Sequence, residues 1–524
     1  MFIYFIVPFL LGLYISGAPA VSTAQLATPS VTLDDGIFTG VTDGVTSKFL
    51  GIPFGKPPTG DLRFQLPEPV DPYTGNNDAS AFGPSCPQQA INLPLPDGLA
   101  AETVNFIVNS IYQDITPSSE DCLSLNVWIP AAPNQGQIYL WRLGFSVFGG
   151  TELYDGGVIV KQSIELGEPI VYISMNYRVT AFGFLASKEV KDAGVGNLGL
   201  QDQRLALQWI QKYISAFGGD PTKVTIWGES AGAISVALHM ISNGGNTEGL
   251  FRDYDALVAE TGCSSAADTL QCLRQVPLDQ LMEAVNKSPG IFSFQSLKLT
   301  WLPRVDGIFL SDTPQQLVLQ GSVADIPFVT GDCDDEGTLF SLASLNITTE
   351  SEFQGYITNN YIPEASTSET DELFTLYPAD ITRGSPFNTG ILNAITPQFK
   401  RIAAIQGDLV FQAPRRFFLQ NRAGQQSTWS FLSKRLKALP VLGSAHATDI
   451  LNVYGPSDMT DYLINFVNNL DPNGKTGISW PQYNVASPQL LTFLDGITPL
   501  TITSDTYRTD GMNVLTNLSL QFPL

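Results

Sequence analysis

The chain has 524 residues, 44% hydrophobic and 15% charged, with a formal net charge of −23. That is ample for a large buried core; length alone suggests three domains, but large α/β enzymes often use one oversized core. The acidic excess repels phosphate backbones and anionic headgroups, which argues against nucleic acid as a partner. It suits neutral or cationic substrates, or simply solubility in an acidic medium.

The first residues, MFIYFIVPFLLGLYISGAPA, hold one apolar run from Phe2 to Ile15. Ala18-Pro19-Ala20 fits the small-x-small cleavage pattern of a secretory signal, and Ala24 offers a second site. The run is too short for a convincing membrane span, although no Lys or Arg precedes it. The expectation is a signal peptide over residues 1–20 and a single domain with large insertions over residues 21–524.

Five cysteines follow: Cys86, Cys122, Cys263, Cys272 and Cys333. An odd count in a secreted chain means two bridges and a spare, or an intermolecular link. Sequence neighbours suggest Cys86 with Cys122 and Cys263 with Cys272, leaving Cys333 free. No CxxC or Cys/His spacing occurs, which argues against structural zinc, and no metal is expected. Asn286, Asn346 and Asn517 open N-x-S/T sequons, the first followed closely by Pro289.

Short β-like runs alternate with helical stretches. Pro169–Arg178 is apolar and β-branched; Asp202–Pro221 has apolar residues at helical spacing and closes on Gly218-Gly219. Lys223–Ser230 and Ile326–Asp332 read as further buried strands. This alternation predicts an α/β fold with a mainly parallel sheet covered by helices on both faces.

Gly228–Gly232 reads GESAG, directly between the strand KVTIW and the helical AISVALHMIS. A serine there sits on a sharp strand-to-helix turn, with a helix N-terminus offering N–H groups to developing negative charge. Such a nucleophile needs a base, and the chain has two histidines. His239 lies nine residues beyond Ser230 on the same predicted helix, hence on its far side about 13 Å along the axis. By elimination His446, in LGSAHATDI, is the candidate base. The third member must be a carboxylate, and GDCDDEGT offers Asp332, Asp334, Asp335 and Glu336 at a strand end. As a calcium loop this stretch fails, because the twelfth position from Asp332 is Ala343.

With SEDCLSLNVW (Ser119–Trp128), NYRVTAFGFL (Asn176–Leu185), GNLGLQDQRLALQW (Gly196–Trp209), GESAG, DEGT and LGSAHATDI, the chain resembles the type-B carboxylesterase/lipase family. Gly384–Phe411 is similar to its fungal branch, the Candida rugosa-type lipases and cholesterol esterases. The resemblance implies an α/β-hydrolase fold and a cofactor-free serine esterase or lipase. Its substrates would be carboxylic esters such as long-chain acylglycerols or sterol esters, met at a lipid–water interface; it leaves the oligomeric state unknown. It selects Glu336 as the acid and repeats the two cysteine pairings, the first closing a lid loop in which Val104, Ile107, Val108 and Ile111 follow helical spacing. Ile291–Leu299, Leu339 and Phe340 would line an acyl pocket.

One stretch departs from the family. Acyl transfer needs donors aimed at the oxyanion; one is the Ala231 N–H, and the family takes others from a strand ending in GGGF. Here the segment reads WRLGF: Gly144-Phe145 survive, but Arg142 and Leu143 replace the preceding glycines, and the strand before them is disturbed. Three accounts stand: a mistranslated splice junction, a working variant in which Gly144 still donates, or a lost hole. The last would make the chain a weakened or silent homologue acting as an extracellular binding protein. A lidless short-chain esterase is a further reading.

Overall fold

A computed structural model of the chain describes residues 27–89, 117–131, 139–143, 155–242 and 268–523, the short 139–143 stretch through its backbone alone. The expected signal peptide and most of the expected lid loop lie outside the described residues, and no described helix is long and apolar enough to cross a membrane.

The described strands are β1 (Ser30–Leu33), β2 (Asp35–Thr39), β3 (Val41–Thr42), β4 (Thr46–Pro53), β5 (Thr74–Asp78), β6 (Ser124–Pro130), β7 (Tyr139–Leu143), β8 (Val171–Met175), β9 (Val224–Gly228), β10 (Phe328–Cys333), β11 (Thr428–Ser433), β12 (Gln489–Phe493) and β13 (Leu500–Ser504). They form a small sheet β1-β2-β5, a six-stranded sheet β3-β4-β6-β8-β7-β9 and a four-stranded sheet β10-β11-β12-β13. Pairing is parallel where the motifs lie, among β8, β7 and β9 and among β10, β11 and β12. It is antiparallel at the margins, β3-β4-β6-β8 and β12-β13.

Strand β8, VYISM, is buried throughout. Val171, Ile173 and Met175 enter one apolar cluster with Leu125 and Val127 of β6, whereas Tyr172 enters another with Trp128. Successive side chains point to opposite faces, so a strand covered on both sides must be apolar at every position. Helices supply the covers. Helix α1 (Gly157–Leu166) packs on β6 and β8. Helix α2 (Leu198–Tyr213) buries Leu205, Ala206, Trp209 and Ile210. A short 3₁₀ turn then ends at Gly218, whose φ of 83° is the left-handed conformation that glycine adopts without strain.

The disturbed segment nonetheless makes a strand. Tyr139–Leu143 pairs with β8 on one side and β9 on the other, in parallel register. Ladder partners on both edges outweigh a weak local pattern, because strand preference is set largely by context.

Cys86 and Cys122 are bridged with Cα atoms 5.0 Å apart, across a sequence separation of 36. A bridge of that span contributes roughly 2–5 kcal/mol, chiefly through the unfolded chain. Beside it, the buried Arg63 donates to both Glu120 oxygens at 2.5 Å. Cys272 is also disulfide-bonded, while Cys263 lies outside the described residues; Cys333 is a buried free thiol.

Candidate active site

Strand β9 stops at Gly228 and helix α3 (Ala231–Ile241) starts three residues later, packed against β7 and β9. The turn between them forces Ser230 to φ 56° and ψ −123°, which few residues with a side chain adopt. A Cβ on Gly228 would stand 2.2 Å from the Gly232 carbonyl carbon, so this position admits only glycine. The strained turn thus projects the hydroxyl from the sheet's edge, with Ala231 opening the helix whose first N–H groups lack intrahelical partners.

His446 Nε2 lies 2.8 Å from Ser230 Oγ, and its Nδ1 lies 2.5 Å from Glu336 Oε2. Glu336 is held from behind by the Cys333 N–H, which donates to Oε1 at 2.6 Å. The imidazole is buried, with the rings of Phe411 and Phe340 4.7 Å and 5.1 Å from its own. Burial alone would lower its pKa; the carboxylates of Glu336 and Glu229 outweigh that and raise it to about 9. Glu229, inside GESAG, stands 3.2 Å from Nε2. Asp449, half-buried three residues beyond His446, is pushed up to about 6 by its desolvated surroundings and by the charge of Glu336.

The other acidic residues of GDCDDEGT are engaged elsewhere. Asp332 pairs with Arg415 at 2.6 Å, Asp334 with Lys437 at 2.5 Å, and Asp335 with Lys437 at 2.6 Å. His239 is equally remote from the serine's chemistry: its Nε2 lies 2.8 Å from Gln203 Oε1 on α2. Sequence reasoning missed Glu229 and Asp449, although both fall within quoted motifs. The available signal was a carboxylate directly beside each predicted functional residue or its loop.

A cavity of about 840 Å³ opens onto Ser230, Glu336 and His446. Its walls include Ile226, Ile234, Phe328, Phe411 and Phe418. Of the expected acyl-pocket residues, Ile291, Phe292, Leu339 and Phe340 pack with Ala445 and Ala447 in a cluster around the histidine loop, against which the cavity-wall residue Phe411 also packs. On the oxyanion side, β7 ends at Leu143, opposite Gly228, and Gly144 lies outside the described residues. No group of His, Cys, Asp and Glu suited to a metal ion occurs among the described residues.

The sequence model of the Carboxylesterase family matches residues 27–254 and 250–509. The chain belongs to this family. It is 41% identical to Lipase 4 of Diutina rugosa, over 93% of this chain and 96% of that one. It is 40% identical to Secreted lipase 1 of Botryotinia fuckeliana, over 89% and 88% of the two. Among solved structures, Aspergillus niger EstA superposes with a TM-score of 0.79 at 25% identity, covering 95% of this chain and 99% of that one. This carboxylesterase-family chain is therefore an α/β-hydrolase and a carboxylic ester hydrolase.

Proposed function

We propose that the chain is a secreted lipase that hydrolyses long-chain acylglycerols or sterol esters at a lipid–water interface, through a Ser230–His446–Glu336 triad. The continuous hydrogen-bonded line from Ser230 Oγ through the imidazole to Glu336 Oε2 carries this reading. Ser230 attacks the ester carbonyl as His446 takes its proton; Glu336 fixes the tautomer and stabilises the imidazolium. The backbone N–H groups of Ala231 and Gly144 receive the oxyanion. The alcohol leaves with the proton returned by His446, and water, deprotonated the same way, releases the acid. No step requires a cofactor.

The apolar cavity at the serine supports an apolar acyl or sterol group, and the lipases among the relatives favour the same substrate class. Secretion rests on the N-terminal signal pattern and on a relative named as a secreted lipase. In that compartment residues 21–524 would form the mature domain. The exposed Asn286, Asn346 and Asn517 would be the glycan sites, Asn286 disfavoured by Pro289.

Hydrolysis of a soluble butyrate ester and of emulsified triolein tests the reading. Wild type is expected to turn over both, and Ser230→Ala neither, with an unchanged melting temperature. Activity retained in Ser230→Ala would end the triad assignment; butyrate turnover without triolein turnover would end the lipase assignment.

A further inference from the structure

Ser230 and Glu336 follow the ends of strands β9 and β10, but His446 rides on a loop whose backbone is unfavourable by itself. Val441, Gly443 and Ala447 have φ of 68°, 59° and 67°. For a β-branched residue and an alanine these are sparsely populated conformations, which persist only where the surroundings impose them. The imposing group is one residue from the proposed acid.

The Asp335 side chain is fully buried. Its Oδ2 accepts the Ser444 N–H at 2.9 Å and the Lys437 ammonium at 2.6 Å. Its Oδ1 accepts the Phe387 N–H at 2.8 Å and the Ser385 hydroxyl at 3.0 Å. The main chains are bound as well: Asp335 N–H donates to Ser444 O at 3.0 Å. Thr338 Oγ1 lies 2.7 Å from Leu442 O and 2.9 Å from Asp335 O, its proton shared between them. A Cβ on Gly443 would stand 2.3 Å from Asp335 Oδ2, so the loop needs glycine there both for its φ and for the carboxylate's approach.

We propose that Asp335, assisted by Thr338, is the positioning residue that sets the His446 imidazole between Glu336 and Ser230. This rests on the triad reading above. The motif then divides its labour: Glu336 holds the ring, while Asp335 and Thr338 hold the backbone that carries the ring. Because clamp and acid share one short turn, they move together, and the Nδ1 contact is preserved against loop motion. Neither Asp335 nor Thr338 touches the reacting atoms. Their loss acts through misplacement, and a shift of about 1 Å can cost on the order of 100-fold in rate.

The test uses Asp335→Ala, Asp335→Asn and Thr338→Val in the full chain. Asp306→Ala serves as control, because that carboxylate likewise holds a loop, accepting the Ile308, Phe309 and Leu310 N–H groups at 2.8–3.0 Å. Readouts are the rate of Ser230 labelling by a fluorophosphonate, which needs the base in place, with kcat, KM and melting temperature. Asp335→Ala is expected to slow labelling and kcat about 100-fold with KM within about threefold. Asp335→Asn, which keeps one acceptor oxygen, should recover part of that, and Thr338→Val should lose about tenfold. Folded Asp335→Ala with wild-type labelling would overturn the proposal. So would an equal loss in Asp306→Ala at the same melting temperature. If Asp335→Ala does not fold, wild-type rates in both Asp335→Asn and Thr338→Val would overturn it. Failure of wild type to label at Ser230 is a separate result, and it would remove the triad reading itself.

Discussion

The two histidines share one hydrogen-bonding length and almost nothing else. His446 and His239 each place Nε2 2.8 Å from an oxygen, of Ser230 and of Gln203 respectively. Burial lowers the pKa of both. At His446 two carboxylates reverse the effect and bring it to about 9; at His239 the Arg204 charge adds to burial and takes it to about 3. One imidazole stands among carboxylates that stabilise the proton it accepts, the other among groups that keep it neutral. Flanking charge, rather than residue type or hydrogen-bond distance, separates the proposed base from the packing residue.

The largest effect should come from removing the charge that defines His446. Glu336→Gln keeps the shape of the site but allows the wrong tautomer and leaves the imidazolium unsupported. We expect kcat to fall roughly 1000- to 10,000-fold with little change in melting temperature, read by steady-state kinetics on the butyrate ester. A loss below tenfold would mean that another carboxylate supplies the charge. Glu229→Gln should have a smaller and more specific consequence. The Glu229 carboxylate favours the imidazolium, so its removal lets His446 lose its proton at lower pH. The acid limb of kcat/KM should therefore move down by about one unit. A limb that stays in place, or moves up, would show that Glu229 does not act on His446.

The sequence was most readable where chemistry is local. GESAG between strand and helix located Ser230 and the elbow, because a sharp turn imposes its own glycines. With only two histidines, helical arithmetic alone excluded His239. The proposed acid was not local: four carboxylates within five positions looked alike, and only the resemblance chose Glu336. Their partners, Arg415, Lys437, the Ser444 N–H and His446, stand some 80 to 110 residues away, and no pattern within GDCDDEGT encodes them. Strand β7 failed as a pattern for the converse reason. Its hydrogen bonds come from β8 and β9, so YLWRL can enter the sheet without alternating well. The acyl-pocket expectation rested on the resemblance alone; Phe292 and Phe340 pack in the cluster beside the histidine loop, Phe340 stacked on Phe411 of the cavity wall at 5.8 Å.

His239 gives the smallest effect and the other half of the comparison. Its ring links helix α3 to Gln203 on α2, and Gln203 in turn donates to Ser235 Oγ at 3.2 Å. His239→Ala leaves the buried Gln203 carbonyl oxygen without that partner, and such a loss typically costs about 1–3 kcal/mol. The melting temperature should drop, while kcat at a temperature where the variant is folded should stay within about twofold of wild type. A tenfold loss of kcat at unchanged fold would instead join this histidine to the reaction, since α3 is the helix whose N-terminus carries Ala231. Stability loss without rate loss would fix the division: α3 offers its first turn to chemistry and its last turn to packing.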